Sequence, residues 1–176
     1  MSESRPGTLP PDAGTASGPP SEPGAAASLG LWLQLMKCAK AFEAAVGTRF
    51  RREFDQSLAR FDVLSQLYRM PGHCGTVGQI AANVMAASGN ITALIDRMAD
   101  EGLVARRPSP SDRRSSEVLM TDAGLDLFGR MTDAHGHWIE TLLAGFPEAE
   151  SARLADLLRD VRRRVERRDT PPDHPE

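Results

Sequence analysis

Apolar residues early in the chain recur three and four positions apart, at Trp32, Leu35, Met36, Ala39, Phe42, Val46 and Phe50. That is the period of a helix with one buried face, and it places the start of the folded body at Leu29. Ser57 stands where it can cap a second helix, whose apolar side carries Phe61, Leu64, Leu67 and Tyr68 and which Pro71-Gly72 ends. Thr76-Val77-Gly78-Gln79 has the spacing of a capping box, in which the Thr and Gln side chains each satisfy a free backbone N–H. Ile80, Ala81, Val84 and Met85 then mark a short third helix. Ser88 is placed to cap a fourth, buried through Ile91, Leu94, Ile95 and Met98, with Gly102 after Glu101 as its stop. Two short helices so closely joined read as a helix-turn-helix.

The period then changes. Leu103 to Arg107 and Ser116 to Met120 read as two strands, separated by the turn chemistry of Pro108-Ser109-Pro110-Ser111-Asp112. A hairpin directly after a helix-turn-helix is a wing. Thr121 caps a fifth helix with Asp122 in its first turn, where the helix dipole favours an anion. That helix runs to Leu143 or Ala144, and Gly145 to Pro147 break it. A last helix, Glu148 to Arg168, carries Leu154, Leu157, Leu158, Val161 and Val165 on one side. The expected fold class is all-α with a small β-hairpin wing, a winged helix-turn-helix in one domain over residues 29–168. Residues 1–28, rich in Pro, Gly, Ala and Ser, bury too little to offset their ordering entropy and are expected to form a disordered tail. Residues 169–176, with three prolines, are expected to form a second, short tail.

Composition changes this picture little. The chain of 176 residues is 40% hydrophobic and 26% charged, ordinary for a soluble globular protein. No apolar run is long enough to span a membrane and no secretory pattern opens the chain, so no membrane partner is expected. Two cysteines, Cys38 and Cys74, make no disulfide framework, and the cytoplasm is the expected compartment. The formal net charge of −3 hides its distribution. Arg106, Arg107, Arg113 and Arg114 stand against Asp112 alone, so that this segment is locally +3, and a local basic patch is what a DNA-binding surface shows. No nucleophile elbow, phosphate-binding glycine loop or zinc-protease motif is present, so no enzyme is expected. His73 and Cys74 have no second ligand pair at suitable spacing, and His135 and His137 point apart on a helix. No metal and no cofactor are expected.

From Ile80 to Gly124 the sequence IAANVMAASGNITALIDRMADEGLVARRPSPSDRRSSEVLMTDAG resembles the MarR family of bacterial winged-helix regulators. The family's motifs are matched in order by Ile80-Ala81, Thr92, Asp96-Arg97-Met98, Gly102-Leu103-Val104-Ala105-Arg106, Asp112-Arg113-Arg114 and Met120-Thr121-Asp122-Ala123-Gly124. Ile80 and Met120 replace leucines but stay apolar, and Ser57 to Leu64 is similar to the family's second-helix opening. The resemblance covers residues 29–168. It implies a helical dimerisation region from residues 29–56 and 122–168, flanking a DNA-binding lobe at residues 57–121. A monomer in which those helices only complete the core is the competing reading.

The second helix of such a motif enters the major groove. Ser88, Gly89, Asn90, Thr92, Ala93, Asp96 and Arg97 are then its outward residues. Asn90 is the candidate adenine reader because an amide bonds bidentately to that base, with a solvated turn residue as the plain alternative. Ser88 and Thr92 reach phosphates or bases, Ala93 a thymine methyl, and Arg97 a phosphate. At the wing tip, the resemblance implies that Arg114 reaches the minor groove, whose negative potential attracts arginine, while Asp112 holds it and Arg113 touches a phosphate. An exposed salt bridge is the bland alternative. The implied partners are double-stranded DNA, a second copy of the chain, and a small anionic effector such as an aromatic acid or its coenzyme A thioester. Trp32, Met36, Arg60, His135 and Trp138 are chemically suited to line an effector cleft, though ordinary core or interface packing also accounts for the two tryptophans. Cys38 invites a peroxide-sensor reading, but such relatives usually place that cysteine near tyrosines and the only Tyr is Tyr68. A small buried residue is expected there. The function implied is a ligand-responsive regulator, more often a repressor, acting on a near-palindromic operator. The alternative is a winged-helix protein–protein interaction module that does not bind DNA.

Overall fold

The computed structural model describes residues 23–85, 90–108 and 116–169. Ser88, Gly89, Asp112, Arg113 and Arg114, with residues 1–22 and 170–176 of the expected tails, lie outside the described residues. The described elements run α1 (Pro23–Phe54), α2 (Leu58–Arg69), a 3-10 turn (Pro71–His73), β1 (Cys74–Thr76), α3 (Val77–Asn83), α4 (Ile91–Asp100), β2 (Val104–Pro108), β3 (Ser116–Met120), α5 (Asp122–Leu142) and α6 (Glu148–Asp169). They divide into two compact units, residues 1–45 and 46–176. The expected fold class holds. Among the described residues no helix is long and apolar enough to cross a membrane.

The described part of the first unit is one helix. It begins at Pro23 rather than Leu29, since Pro at the first helical position gives up an N–H that has no partner there in any case. Trp32 and Met36 are exposed on it, and so is Cys38, against the expectation of a buried cysteine. A single helix has no second layer within its own unit to bury a side chain.

The second unit holds the core. Phe50, fully buried at the end of α1, meets Phe61 of α2 at 4.7 Å and Trp138 of α5 at 5.0 Å between ring centroids. Below this aromatic layer Val63, Leu64 and Leu67 of α2 pack with Ile80, Ile95, Met98, Val118 and Met131. Ser57 caps α2 as expected, its hydroxyl accepting from the Arg60 N–H at 3.2 Å. Tyr68, expected inside, is instead 52% exposed and stacks on His73, 5.0 Å away.

Three strands form an antiparallel sheet in the order β1-β3-β2. The wing is the β2–β3 pair, with Val104 opposite Met120 and Pro108 opposite Ser116. β1 was not anticipated, because three residues centred on Gly75 are too few to show a period. The capping box of α3 is present, with Thr76 Oγ1 accepting from Gln79 N–H at 3.2 Å and Gln79 Oε1 accepting from Thr76 N–H at 2.8 Å. α3 ends at Asn83, and Met85, expected on its apolar side, is 89% exposed.

The end of α4 and the start of α5 meet at a clasp. Gly102, at φ 75°, donates to Ala99 O at 2.9 Å, and Leu103 N–H donates to Met98 O at 2.9 Å. This is a Schellman closure that needs a left-handed residue. Thr121 then caps α5: its hydroxyl accepts from Gly124 N–H at 3.1 Å and donates to Gly102 O at 2.7 Å. Gly124 faces Leu103 O so closely that an added Cβ would sit 2.1 Å from that oxygen. Gly124→Ala should therefore cost about 1–3 kcal/mol or more, because backbone on both sides must move. A urea melt that matches the wild type would refute that account of the glycine.

Candidate nucleic-acid interface

The candidate interface comprises the outer face of α4 and the strands that follow it. α4 buries Leu94, Ile95 and Met98, the spacing of one helix face, and this turns Thr92, Asp96 and Arg97 outward. Ala93 is half-buried. The helix does not open at Ser88: it begins at Ile91, and Asn90 is its N-cap, with Oδ1 accepting from Ala93 N–H at 3.0 Å. Asn90 was assigned to base reading. Its carbonyl oxygen now serves the helix, which leaves the Nδ2 donor as the end better placed to reach outward.

Two of the four arginines in the basic segment are paired with acids from other elements. Arg106 of β2 binds Asp96 of α4 at 2.6 Å and donates to Ser116 Oγ of β3 at 2.9 Å. Arg107 binds Glu117 at 2.9 Å and donates to Cys74 Sγ at 3.4 Å. The local +3 read from the sequence thus counted two charges that the tertiary structure offsets. Arg97 has no ion pair among the described residues, and the remaining arginines of that count, Arg113 and Arg114, lie outside them. Asp96, read only as an outward residue of the helix, joins it to the wing. Burial and the Glu117 carboxylate push the Cys74 thiol up, away from its reactive thiolate form.

Behind the interface α2 reaches α4 from below. Arg60 grips Glu101, the C-cap of α4, with both guanidinium nitrogens at 2.5 Å, and also donates to Gln56 at 3.0 Å. The guanidinium holds the Glu101 carboxyl below the usual carboxylate range. Asp62, buried in α2, accepts from Gln66 Nε2 at 3.3 Å and from the backbone N–H of Met85. Neither role was foreseen. The signal available was an acid inside the apolar run Phe61-Asp62-Val63-Leu64.

The five residues named for an effector cleft fall in both units. Trp32 and Met36 belong to the first, Arg60, His135 and Trp138 to the second. Arg60 is taken up by Glu101 and Gln56. Trp138 is a core residue at 6% exposure, the packing alternative already raised for it. His135 lies against Phe50 and Phe61 at 5.8 and 5.1 Å, and burial pushes its imidazole below its ordinary value. Among the described residues no group of three or more His, Cys, Asp or Glu is placed to hold a metal ion.

A family model described as MarR family matches residues 57–116. The transcriptional regulator MhqR of Bacillus subtilis is 30% identical over 103 residues, spanning 57% of this chain and 68% of that protein. The transcriptional regulator PecS of Dickeya dadantii is 29% identical over 114 residues, spanning 64% of this chain and 69% of that protein. Among solved structures, Sco3205 of Streptomyces coelicolor, a MarR family transcriptional regulator in complex with DNA, superposes with a TM-score of 0.69. It is 18% identical and covers 82% of this chain and 91% of its own.

His135 and Glu101 both lose their contribution as pH falls, but in different windows. A depressed His135 pKa means that the unfolded chain takes the proton first, so its contribution is full above the ordinary value of about 6.5 and is lost as pH falls through the lower folded value. A depressed Glu101 pKa means that its pair stabilises above about 4.5 and is lost only as pH falls through the folded value. Urea melts at pH 7 and pH 5 should show wild-type stability dropping between the two, and His135→Phe losing less. An equal drop would remove His135 from the acid response.

Proposed function

This chain belongs to the MarR family of DNA-binding transcriptional regulators, which are not enzymes, and from that premise we propose that it is a ligand-responsive repressor working as a homodimer on a near-palindromic duplex operator. The observation that carries the reading is the pairing of an outward face on α4 with a wing tied to it by the Arg106–Asp96 bridge. One element is presented to a major groove while the other follows the backbone toward the adjacent minor groove. Thr92 and the Asn90 amide supply donors for base edges, Ala93 offers a methyl, Arg97 and Arg113 meet phosphates, and Arg114, held by Asp112, enters the minor groove. Ser88 joins the reading set at the helix entrance.

Dimerisation is supported by apolar surface that the second unit leaves uncovered. Leu142, Leu143, Phe146, Leu154, Leu157, Leu158 and Val165 of the α5–α6 region are each at least 37% exposed. Residues 142–146 and Leu154 line an apolar hollow of about 430 Å³, wide enough to receive a side chain of a second copy. Apolar patches of this extent on a charged helix mark an association surface. Repression follows from occupancy, since a dimer seated on an operator excludes other proteins from it. The ligand limb completes the reading. An aromatic acid or its coenzyme A thioester that prefers lobe positions out of step with the half-sites would release the DNA.

Leu157→Glu should shift the sedimenting species from dimer to monomer and weaken operator binding with it. Arg114→Ala should weaken binding and lower the slope of log affinity against log salt by about one. Mobility shifts with a duplex selected by the wild type measure both, and thermal-shift screening of aromatic acids and acyl thioesters tests the ligand limb. A protein that ignores duplex DNA at every salt concentration would be the assembly module instead.

A further inference from the structure

Asp62 and Arg60 lie one turn or less apart on α2 but hold different parts of the helix-turn-helix: Asp62 the chain just past α3, and Arg60 the C-cap of α4. Asp62 is 9% exposed, so its carboxylate cannot rely on water for hydrogen bonds. One oxygen accepts from Gln66 Nε2, the other from the backbone N–H of Met85. Met85 is the last described residue before the connection into α4, and its own side chain is 89% exposed. The chain is therefore held at this point by its backbone and not by packing. At the C-terminal end of α4 Arg60, whose side chain is 13% exposed, forks onto Glu101 at 2.5 Å on both oxygens. A planar fork on a carboxylate fixes direction as well as distance.

We propose that α2 sets the attitude of the reading helix through these two latches, one on the C-cap of α4 and one on the chain that leaves α3, and that Asp62 and Arg60 are positioning residues for discrimination between DNA sequences. The proposal rests on the reading of this chain as a sequence-specific DNA-binding regulator. A helix the length of α4 is about 15 Å long, so a tilt of about 10° about one end moves the other by roughly 2–3 Å. Contacts to base edges do not survive such a shift, because a hydrogen bond tolerates only a few tenths of an ångström. Phosphate contacts do, because they are charge-driven and carry no sequence information. Loosening either latch therefore lowers specific binding and spares non-specific binding.

The experiment uses the full chain, a duplex selected by the wild type from a random library, and a scrambled duplex. Arg60→Lys keeps the charge and loses the fork. Asp62→Asn keeps the shape and loses the charge. Glu101→Gln, on the exposed side of the pair, carries the test should either of these fail to fold. Each variant should lower the ratio of selected to scrambled affinity about tenfold while scrambled binding stays within about twofold. Hydrogen exchange followed by NMR, without DNA, should quicken at Met85 in Asp62→Asn and along residues 91–101 in both α2 variants, and not along α5. Met131→Ala, a core change that leaves the hydrogen bonds of both latches in place, should lower the melting temperature without lowering the ratio.

Variants that discriminate as well as the wild type overturn the latch. So does a Met131→Ala protein that loses discrimination equally at a matched melting temperature. A wild type that selects no duplex overturns the DNA-reading conclusion instead. The latch then stands or falls on exchange alone: quickening confined to Met85 and residues 91–101 upholds it, and unchanged exchange overturns it.

Discussion

α2 is enclosed. Six consecutive residues, Asp62 to Leu67, are buried, and the helix touches α3, α4, α5, β1 and β3. A helix covered on more than one face must find partners inside the protein for every polar group it carries, because an unpaired buried group costs about 1–3 kcal/mol. Asp62 and Gln66 meet that demand by bonding to each other and to the backbone of the α3–α4 connection. Arg60, at the edge of the same helix, meets it through Glu101 and Gln56. α2 thus becomes the frame against which α4 is held.

The second fixed point is the clasp at Leu103. Its carbonyl lies against Gly124, its N–H closes α4, and Thr121 both caps α5 and bonds back to the exit of α4. Strand β2 leaves from this point, so the direction of the wing is set by the same few backbone atoms that end α4. The Arg106–Asp96 bridge then ties the strand to the helix a second time. Charge and geometry are coupled here: pairing Arg106 and Arg107 spends positive charge on rigidity, while Arg97 has no ion pair among the described residues.

Local signals made most of the architecture readable. Ser57, Thr76 with Gln79, and Thr121 act as caps because a hydroxyl or amide at that spacing satisfies N–H groups a helix leaves open. Gly102 stops α4 because only a left-handed residue closes a Schellman turn. Where signals competed, the prediction slipped. Ser88 was expected to cap α4, and Asn90, expected to face a base, is the residue that caps it. Tyr68 and Met85 fit an apolar period, yet both stand out in solvent, because a period says which side a residue is on and not whether anything covers that side.

The sequence by itself determined the order of the helices and the wing strands, most of their caps and stops, and the winged helix-turn-helix class, because these depend on residues within one or two turns of each other. It also supplied the family motifs on which the DNA-facing assignments rest. The tertiary structure alone decided which charges are spent and which remain. Asp96 with Arg106, Arg107 with Glu117, and Arg60 with Glu101 are separated along the chain and meet only when α2, α4 and the wing pack together. It also decided that β1 exists and that an acid in α2 holds a backbone amide beyond α3. No local pattern carries those facts, since long-range pairing is fixed by where the core puts each surface and not by the residues beside it in sequence.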